Sequence, residues 1–309
     1  MKKYLIAGPS WLDIAVMVDV LPKDGEEFRA EQTWTRVTGS GWNAANVFEA
    51  LNMEYELISP AGEGIYADEV IRQAVERQIA LSTGAEGIQG SSYTWIDAQG
   101  RTKSMMLPGA EYAFTPELFY WVDPEDYAGL LTSDDAIIND ETGILSESAE
   151  ASEGKLHCTV GLGRLAEEDA WTEALCALHP VIYTANDDLY AAEDQEIGDL
   201  LKRISLKTGR EVILQQNHHG VKMIVGEELK EIRPVYSSTV DRTGTTDALM
   251  AAYAVALNCG LRRENALQFA AEYSAEVGRL RDSVLAEDRY RSERDRLASL
   301  ILQGKHPDK

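Results

Sequence analysis

Asp241-Arg-Thr-Gly-Thr-Thr-Asp247, running straight into Ala248-Leu-Met-Ala-Ala-Tyr-Ala-Val-Ala-Leu257, is the stretch on which the reading of this chain turns. A Gly-containing turn with hydroxyl side chains enters an apolar helix, and an Asp stands at the junction. The first turn of a helix carries N–H groups without intrahelical acceptors and the positive end of the dipole, so it attracts anions. An Asp placed there can take a proton from an alcohol. Gly244, Thr245 and Thr246 can meanwhile present N–H groups to a phosphoryl group. The plainer reading of the same residues is an N-cap, with Thr246 or Asp247 capping the helix that follows.

Outward from this helix, strand-like and helical runs alternate. Residues 3–8, 55–60, 135–139, 180–183, 211–215 and 222–225 read as strands. Helical spacing marks 43–51, 67–78, 167–178, 196–207 and 247–259, the last closed by Gly260. Residues 265–279 and 283–302 read as final helices. Alternation of this kind predicts parallel strands with crossover helices: an α/β, doubly wound, mostly parallel sheet in a single domain over 1–309. Two segments, 15–36 and 91–106, break the pattern with strand-like alternation.

The chain has 309 residues, 44% of them hydrophobic and 26% charged, which is ordinary for a globular protein with a sizeable core. Its net charge of −23 argues against binding nucleic acid or an anionic membrane surface, and reads as a solubilising surface. No apolar run reaches the ~18 residues of a membrane span. The start, Met-Lys-Lys-Tyr-Leu-Ile-Ala-Gly, reads as a first strand rather than a signal peptide. Cys158, Cys176 and Cys259 are scattered, without a C-x-x-C pair, so neither a disulfide framework nor a zinc site is expected, and a cytoplasmic setting fits. His218 and His219 precede Gly220 as neighbours with no third ligand, and read as loop residues rather than a metal site.

The ordered set of motifs resembles the ribokinase-like (PfkB) carbohydrate kinase family over roughly residues 4–280. Asp241, Gly244 and Asp247 stand in register with its late Asp-Thr-x-Gly-Ala-Gly-Asp motif. Gly8-Pro-Ser-Trp-Leu-Asp13 resembles its first strand and substrate-binding Asp. Val18-Asp-Val-Leu-Pro-Lys-Asp-Gly25-Glu26 is similar to its Leu-Pro-x-x-Gly-Glu turn. Thr38-Gly39-Ser-Gly41-Trp-Asn43-Ala-Ala45 is similar to its Gly-Gly-x-Gly-x-Asn-x-Ala segment, and Pro108-Gly-Ala-Glu111 to a segment of some sugar-kinase members. The resemblance implies a kinase that moves the γ-phosphoryl group of ATP, with Mg²⁺, to a hydroxyl of a sugar or nucleoside. It implies a small β-sheet lid from 15–36 and 91–106, and a homodimer paired through those lids.

By that resemblance Asp247 is the general base, with Gly244, Thr245 and Thr246 forming the anion hole. Asp13, Gly39, Gly41 and Asn43 bind the acceptor. Taken without the family, Gly39 and Gly41 read as a turn and Asn43 as a helix cap. Trp11 and Trp42 adjoin them as a sugar platform or as core. Asn186, Asn217, Gly220 and Asp241 fall on the nucleotide side. The departures gather there. Thr246 replaces a Gly that would tolerate positive φ. Asn-x-x-Glu reads Asn186-Asp-Asp-Leu189, and Thr-x-Gly-x-x-Gly reads Gln215-Gln-Asn-His-His-Gly220. Ala271 stands at a common adenine-side Asn. The alternative is a catalytically impaired kinase-fold protein that binds a sugar or nucleoside as sensor or regulator.

Overall fold

The computed structural model describes residues 1–21, 29–30, 32–98, 100–186, 194–216, 220–232 and 239–305. The Leu-Pro-x-x-Gly-Glu turn from Pro22 onward, Asp187, Asp188, Leu189, Asn217, His218 and His219 lie outside the described residues.

The chain opens with β1 (Lys3–Ala7), passes through β2 (Trp11–Met17) and β3 (Gln32–Thr38), and enters α1 (Ser40–Leu51). Next come β4 (Tyr55–Ile58), β5 (Pro60–Glu63), α2 (Ile65–Arg77), β6 (Ser82–Ile88), β7 (Ser91–Ile96) and β8 (Thr102–Leu107). Strands and helices then alternate through β9 (Tyr127–Ser133), α3 (Asp134–Asn139), α4 (Ile144–Ala151), β10 (Leu156–Thr159), α5 (Leu162–Ala166), α6 (Ala170–Ala177), β11 (Val181–Asn186), α7 (Asp194–Thr208) and β12 (Glu211–Gln216). The hairpin β13 (Gly220–Val225) and β14 (Glu228–Ile232) precedes α8 (Thr245–Asn258), α9 (Arg263–Val277) and α10 (Tyr290–Lys305).

The main sheet runs β14-β13-β12-β11-β10-β9-β1-β4. It is parallel from β4 to β12 and antiparallel at the β13–β14 edge. Successive strand residues feed opposite faces, as a period of two requires. Tyr4, Ile6, Leu131, Tyr183 and Ile213 pack with α1, α8 and α9. Leu5, Leu130, Ile182 and Val212 pack with α4 and α7 on the other side. The strand order reverses at β1, with β4 to one side and β9 to the other. Ligand crevices form at the carboxyl ends of strands flanking such a reversal.

A second sheet, β3-β2-β7-β8, stands apart from the first and matches the expected lid. It begins at Trp11, ahead of the expected boundary at 15, so Asp13 belongs to the lid rather than to the connection after β1. Asp13 is directly opposite Arg36 on β3 and Ser92 on β7. A parallel pair, β5-β6, had no signal in the reading of the sequence.

Two expected boundaries are corrected. Residues 135–139 are helical, because Ser133 ends β9 and its hydroxyl accepts the Ala136 N–H as an N-cap for α3. The Ile137-Ile138 pair suited either element, and Ile138 is half exposed. Residues 283–286 are not helical; Ser283 instead donates through its hydroxyl to the Val37 carbonyl at 3.0 Å.

Candidate active site

The first turns of α1 and α8 converge above the carboxyl ends of β9 and β10. Gly39 caps α1 at φ 113°, and a side chain there would strike the Pro9 carbonyl and the Trp11 ring. Gly41 lies so close to Gly8 that a Cβ would sit 2.2 Å from its carbonyl oxygen. This tight turn aims Asn43 at α8, where its Nδ2 donates to Asp247 Oδ2 at 2.8 Å. Thr38 supports Asn43, with its Oγ1 3.2 Å from Nδ2 and 3.3 Å from Oδ1. Gly244 caps α8 at φ 77° and meets the Ser283 carbonyl at a distance that leaves no room for a side chain.

Asp247 is partly exposed at this junction. Burial raises its pKa to about 6, against the hydrogen bonds from Asn43 and Thr159, while Asp134 and Asp135 push in the same direction as burial. Those two carboxylates open α3. Asp134 accepts the Gly161 N–H at 2.9 Å, and Asp135 accepts the Tyr112 hydroxyl. Neither residue was singled out from the sequence. The run from 135 reads as strand, and only the fold places this acidic pair at a helix start near Asp247.

The residues expected to bind the acceptor are not all open to a ligand. Asp13 is fully buried. Its Oδ1 accepts from Ser92 Oγ at 2.6 Å and Thr94 Oγ1 at 2.8 Å. Its Oδ2 takes Arg36 Nε at 3.0 Å and Nη2 at 2.9 Å. Arg36, 3% exposed, also reaches Asp241 through Nη1 and Thr243 Oγ1 through Nη2 at 2.9 Å. Burial disfavours the charged guanidinium, but Asp241 and Asp13 together outweigh it, and its pKa rises. Trp42 is core at 1% exposed, while Trp11 is partly exposed and donates through Nε1 to Ser92 Oγ at 2.8 Å.

Of the residues expected to bind nucleotide, Asn186 ends β11 with a buried Oδ1 that has no hydrogen-bond partner, and Gln216 ends β12 opposite it with a buried, unpartnered Oε1. Gly220 opens β13 at φ 91°, paired with Gln216. Asp241 is fully buried, with its carboxylate taken by Arg36 and the Thr243 N–H. Thr246 lies within α8 and is not among the positive-φ residues, so the strain expected of a β-branched side chain there does not arise. Its hydroxyl donates to Gln215 Oε1 at 3.2 Å, and Gln215 Nε2 donates to Ser274 Oγ at 2.9 Å. Ser274 Oγ donates in turn to the Thr245 carbonyl at 2.7 Å.

The Thr245 amide donates to the Arg242 carbonyl at 3.1 Å, so only the other first-turn amides of α8, with the unpartnered Asn186 oxygen, fit a phosphorylated ligand that brings its own cation. Among the described residues, no three or more His, Cys, Asp and Glu side chains are grouped to hold a metal. The three cysteines are free. Among the described residues no helix is long and apolar enough to cross a membrane.

A family model described as pfkB family carbohydrate kinase matches residues 11–280. Ribokinase from Thermotoga maritima is 19% identical and aligns with TM-score 0.73 over 95% of this chain and 99% of its own. Arabidopsis thaliana ribokinase, solved with ribose and ATP, is 18% identical, with TM-score 0.70 over 94% and 98%. A Burkholderia thailandensis nucleoside kinase, solved with inosine, is 14% identical, with TM-score 0.73 over 97% of each chain. No curated protein matches the chain by sequence.

Proposed function

The chain belongs to the pfkB family of carbohydrate kinases, and from that premise we propose that it transfers the γ-phosphoryl group of ATP to a hydroxyl of a sugar or nucleoside. The observation that carries this reading is the Asn43–Asp247 pair at the converging helix starts. Asp247, with a pKa near 6, is ionised at neutral pH and basic enough to take the proton of an attacking alcohol. The amides of Gly244 and Thr246 would serve the charge that develops on the phosphoryl group, whereas the Thr245 amide already donates to the Arg242 carbonyl at 3.1 Å and is withdrawn from the expected anion hole. Positioning and charge stabilisation of this kind make up most of phosphoryl-transfer catalysis. Asn43 fixes the carboxylate, and Asn186 offers its free oxygen on the nucleotide side. Mg²⁺ would have to come with the nucleotide, neutralising phosphate charge, with the Asn186 oxygen as the protein group on that side that could serve it.

The Thr246–Gln215–Ser274 chain favours a second reading. It spans the segment that the family resemblance assigns to the nucleotide, which suits a protein that binds the acceptor without phosphorylating it. Calorimetry with Mg²⁺–ATP, paired with ADP release stimulated by ribose, fructose or inosine, separates the two. Turnover that Asp247→Asn abolishes supports the kinase. Acceptor binding with no nucleotide binding at millimolar ATP sinks it.

The homodimer belongs to the same proposal. Met105 and Leu107 are 46% and 48% exposed on β8 of the lid, and pairing lids would cover them. A monomer by light scattering at micromolar concentration counts against it. The soluble cytoplasm, with its nucleotide pool and reduced thiols, is the setting this reading requires.

A further inference from the structure

We infer that Asp13, Arg36 and Asp241 form a clasp that fixes the lid sheet to the loop carrying Asp247, with Arg36 as a positioning residue and Asp13 withdrawn from contact with the acceptor. The inference rests on the reading of that loop as catalytic.

A carboxylate has about four lone-pair positions and a guanidinium five N–H groups. Asp13 fills its positions with Ser92, Thr94 and two bonds from Arg36. Arg36 spends its donors on Asp13, Asp241, Thr243 and, at 3.5 Å, the Arg281 carbonyl. Neither group retains a position for a substrate hydroxyl. An incoming hydroxyl would only replace Ser92 or Thr94 at Asp13, exchanging one neutral donor for another.

Register explains why the clasp forms. Arg36 and Ser92 are the direct cross-strand neighbours of Asp13, and Thr94 is the next residue of β7 on the same face. Arg36 then continues past Asp13 out of the lid. Its far end meets Asp241, which opens the Asp241–Asp247 turn, and Thr243 within it. Further contacts run along the same seam. Ser283 Oγ donates to the Val37 carbonyl at 3.0 Å, and Trp34 Nε1 to the Arg281 carbonyl at 2.8 Å. The Val240 amide donates to the Gly278 carbonyl at 2.8 Å. Lifting the lid away from the loop would strand buried charges, which strongly opposes it.

The test is amide hydrogen exchange on the ligand-free protein, followed over residues 34–38 and 243–247. Asp13→Asn and Arg36→Lys keep side-chain size. Each is expected to speed exchange in both segments about tenfold, as a local opening unit would. The double variant should not exceed Arg36→Lys, because Asp13 acts on the loop only through Arg36. Ribose and inosine affinity should fall in Arg36→Lys as much as in Asp13→Asn. Unchanged exchange at 243–247, with affinity lost in Asp13→Asn alone, overturns the clasp and returns Asp13 to direct acceptor binding. If a variant does not fold, the wild-type protein decides. Under rising urea the two segments should share one opening transition, and separate transitions overturn the inference. None of these readings depends on turnover, so a clasp can stand where the kinase proposal fails, and the reverse.

Discussion

Asn43 Nδ2 donates to Asp247 Oδ2 at 2.8 Å, joining the first turns of two helices that lie 204 residues apart in the chain. The bond favours the ionised carboxylate against the burial that opposes it. Asn43→Ala should therefore raise the Asp247 pKa above about 6. Turnover at neutral pH should drop and recover as pH rises. One neutral hydrogen bond is worth about 1 kcal/mol, so the midpoint should move by somewhat under one unit. A kcat–pH profile from pH 5 to 9 measures it. An unmoved midpoint would mean that Asn43 acts on the acceptor rather than on the base.

Asp247→Asn tests the base itself. Loss of a general base costs about 10²–10⁴-fold in rate, while acceptor affinity should hold. Stability supplies a second readout. Burial lifts the folded pKa to about 6, above the ordinary carboxylate value. Between roughly pH 4 and 6 the folded state thus holds a proton that the unfolded chain has released. Stability contributed by this group is full below that window and declines as pH rises through it. The asparagine variant should lack that decline. Urea titrations of both proteins across pH 4–8 check it, and parallel curves would remove Asp247 as the titrating group.

Much of this arrangement was legible in the sequence. Strand–helix alternation predicts the doubly wound sheet, although β9, β10 and β14 lie outside the runs that read as strand, and the 15–36 and 91–106 segments fall largely in the separate small sheet. The motif spacing also named Asn43 and Asp247 as members of one site, and they meet. What escaped was long-range pairing. Arg36 looks like any charged residue on an alternating strand, and nothing local shows that it reaches Asp241 across 205 positions. Asp135 opens a stretch that reads as strand because two isoleucines suit either element, and Asp134 lies just ahead of it. Thr246 was expected to strain a backbone that proves to be ordinary helix.

Gly244→Ala probes the cap that sets this geometry. The residue holds φ 77°, and an added Cβ would lie 2.3 Å from the Ser283 carbonyl and 3.1 Å from Asn43 Cγ. Strain at such a position costs about 1–3 kcal/mol. The clash also pushes on Asn43, so turnover should fall along with the denaturation midpoint. Equilibrium urea unfolding and kcat together check it. A variant as stable as wild type would show that the 283 loop yields easily.

Gln215 bridges Thr246 at 3.2 Å and Ser274 at 2.9 Å with its side-chain amide, and under the kinase proposal this bridge bears on the nucleotide. It crosses the start of α8, where a phosphate would meet the helix amides. Gln215→Ala removes the bridge without touching the backbone. Mg²⁺–ATP affinity should tighten by roughly fivefold, the scale of one net hydrogen bond no longer competing with the ligand. Thr246→Ala should act in the same direction by freeing one end. Thr246→Gly should do no better than Thr246→Ala, because position 246 is already helical, and should lose about 1 kcal/mol of helix stability relative to it. Calorimetry on the three variants decides. Weaker binding in Gln215→Ala would identify the amide as a ligand of the nucleotide rather than an obstacle to it.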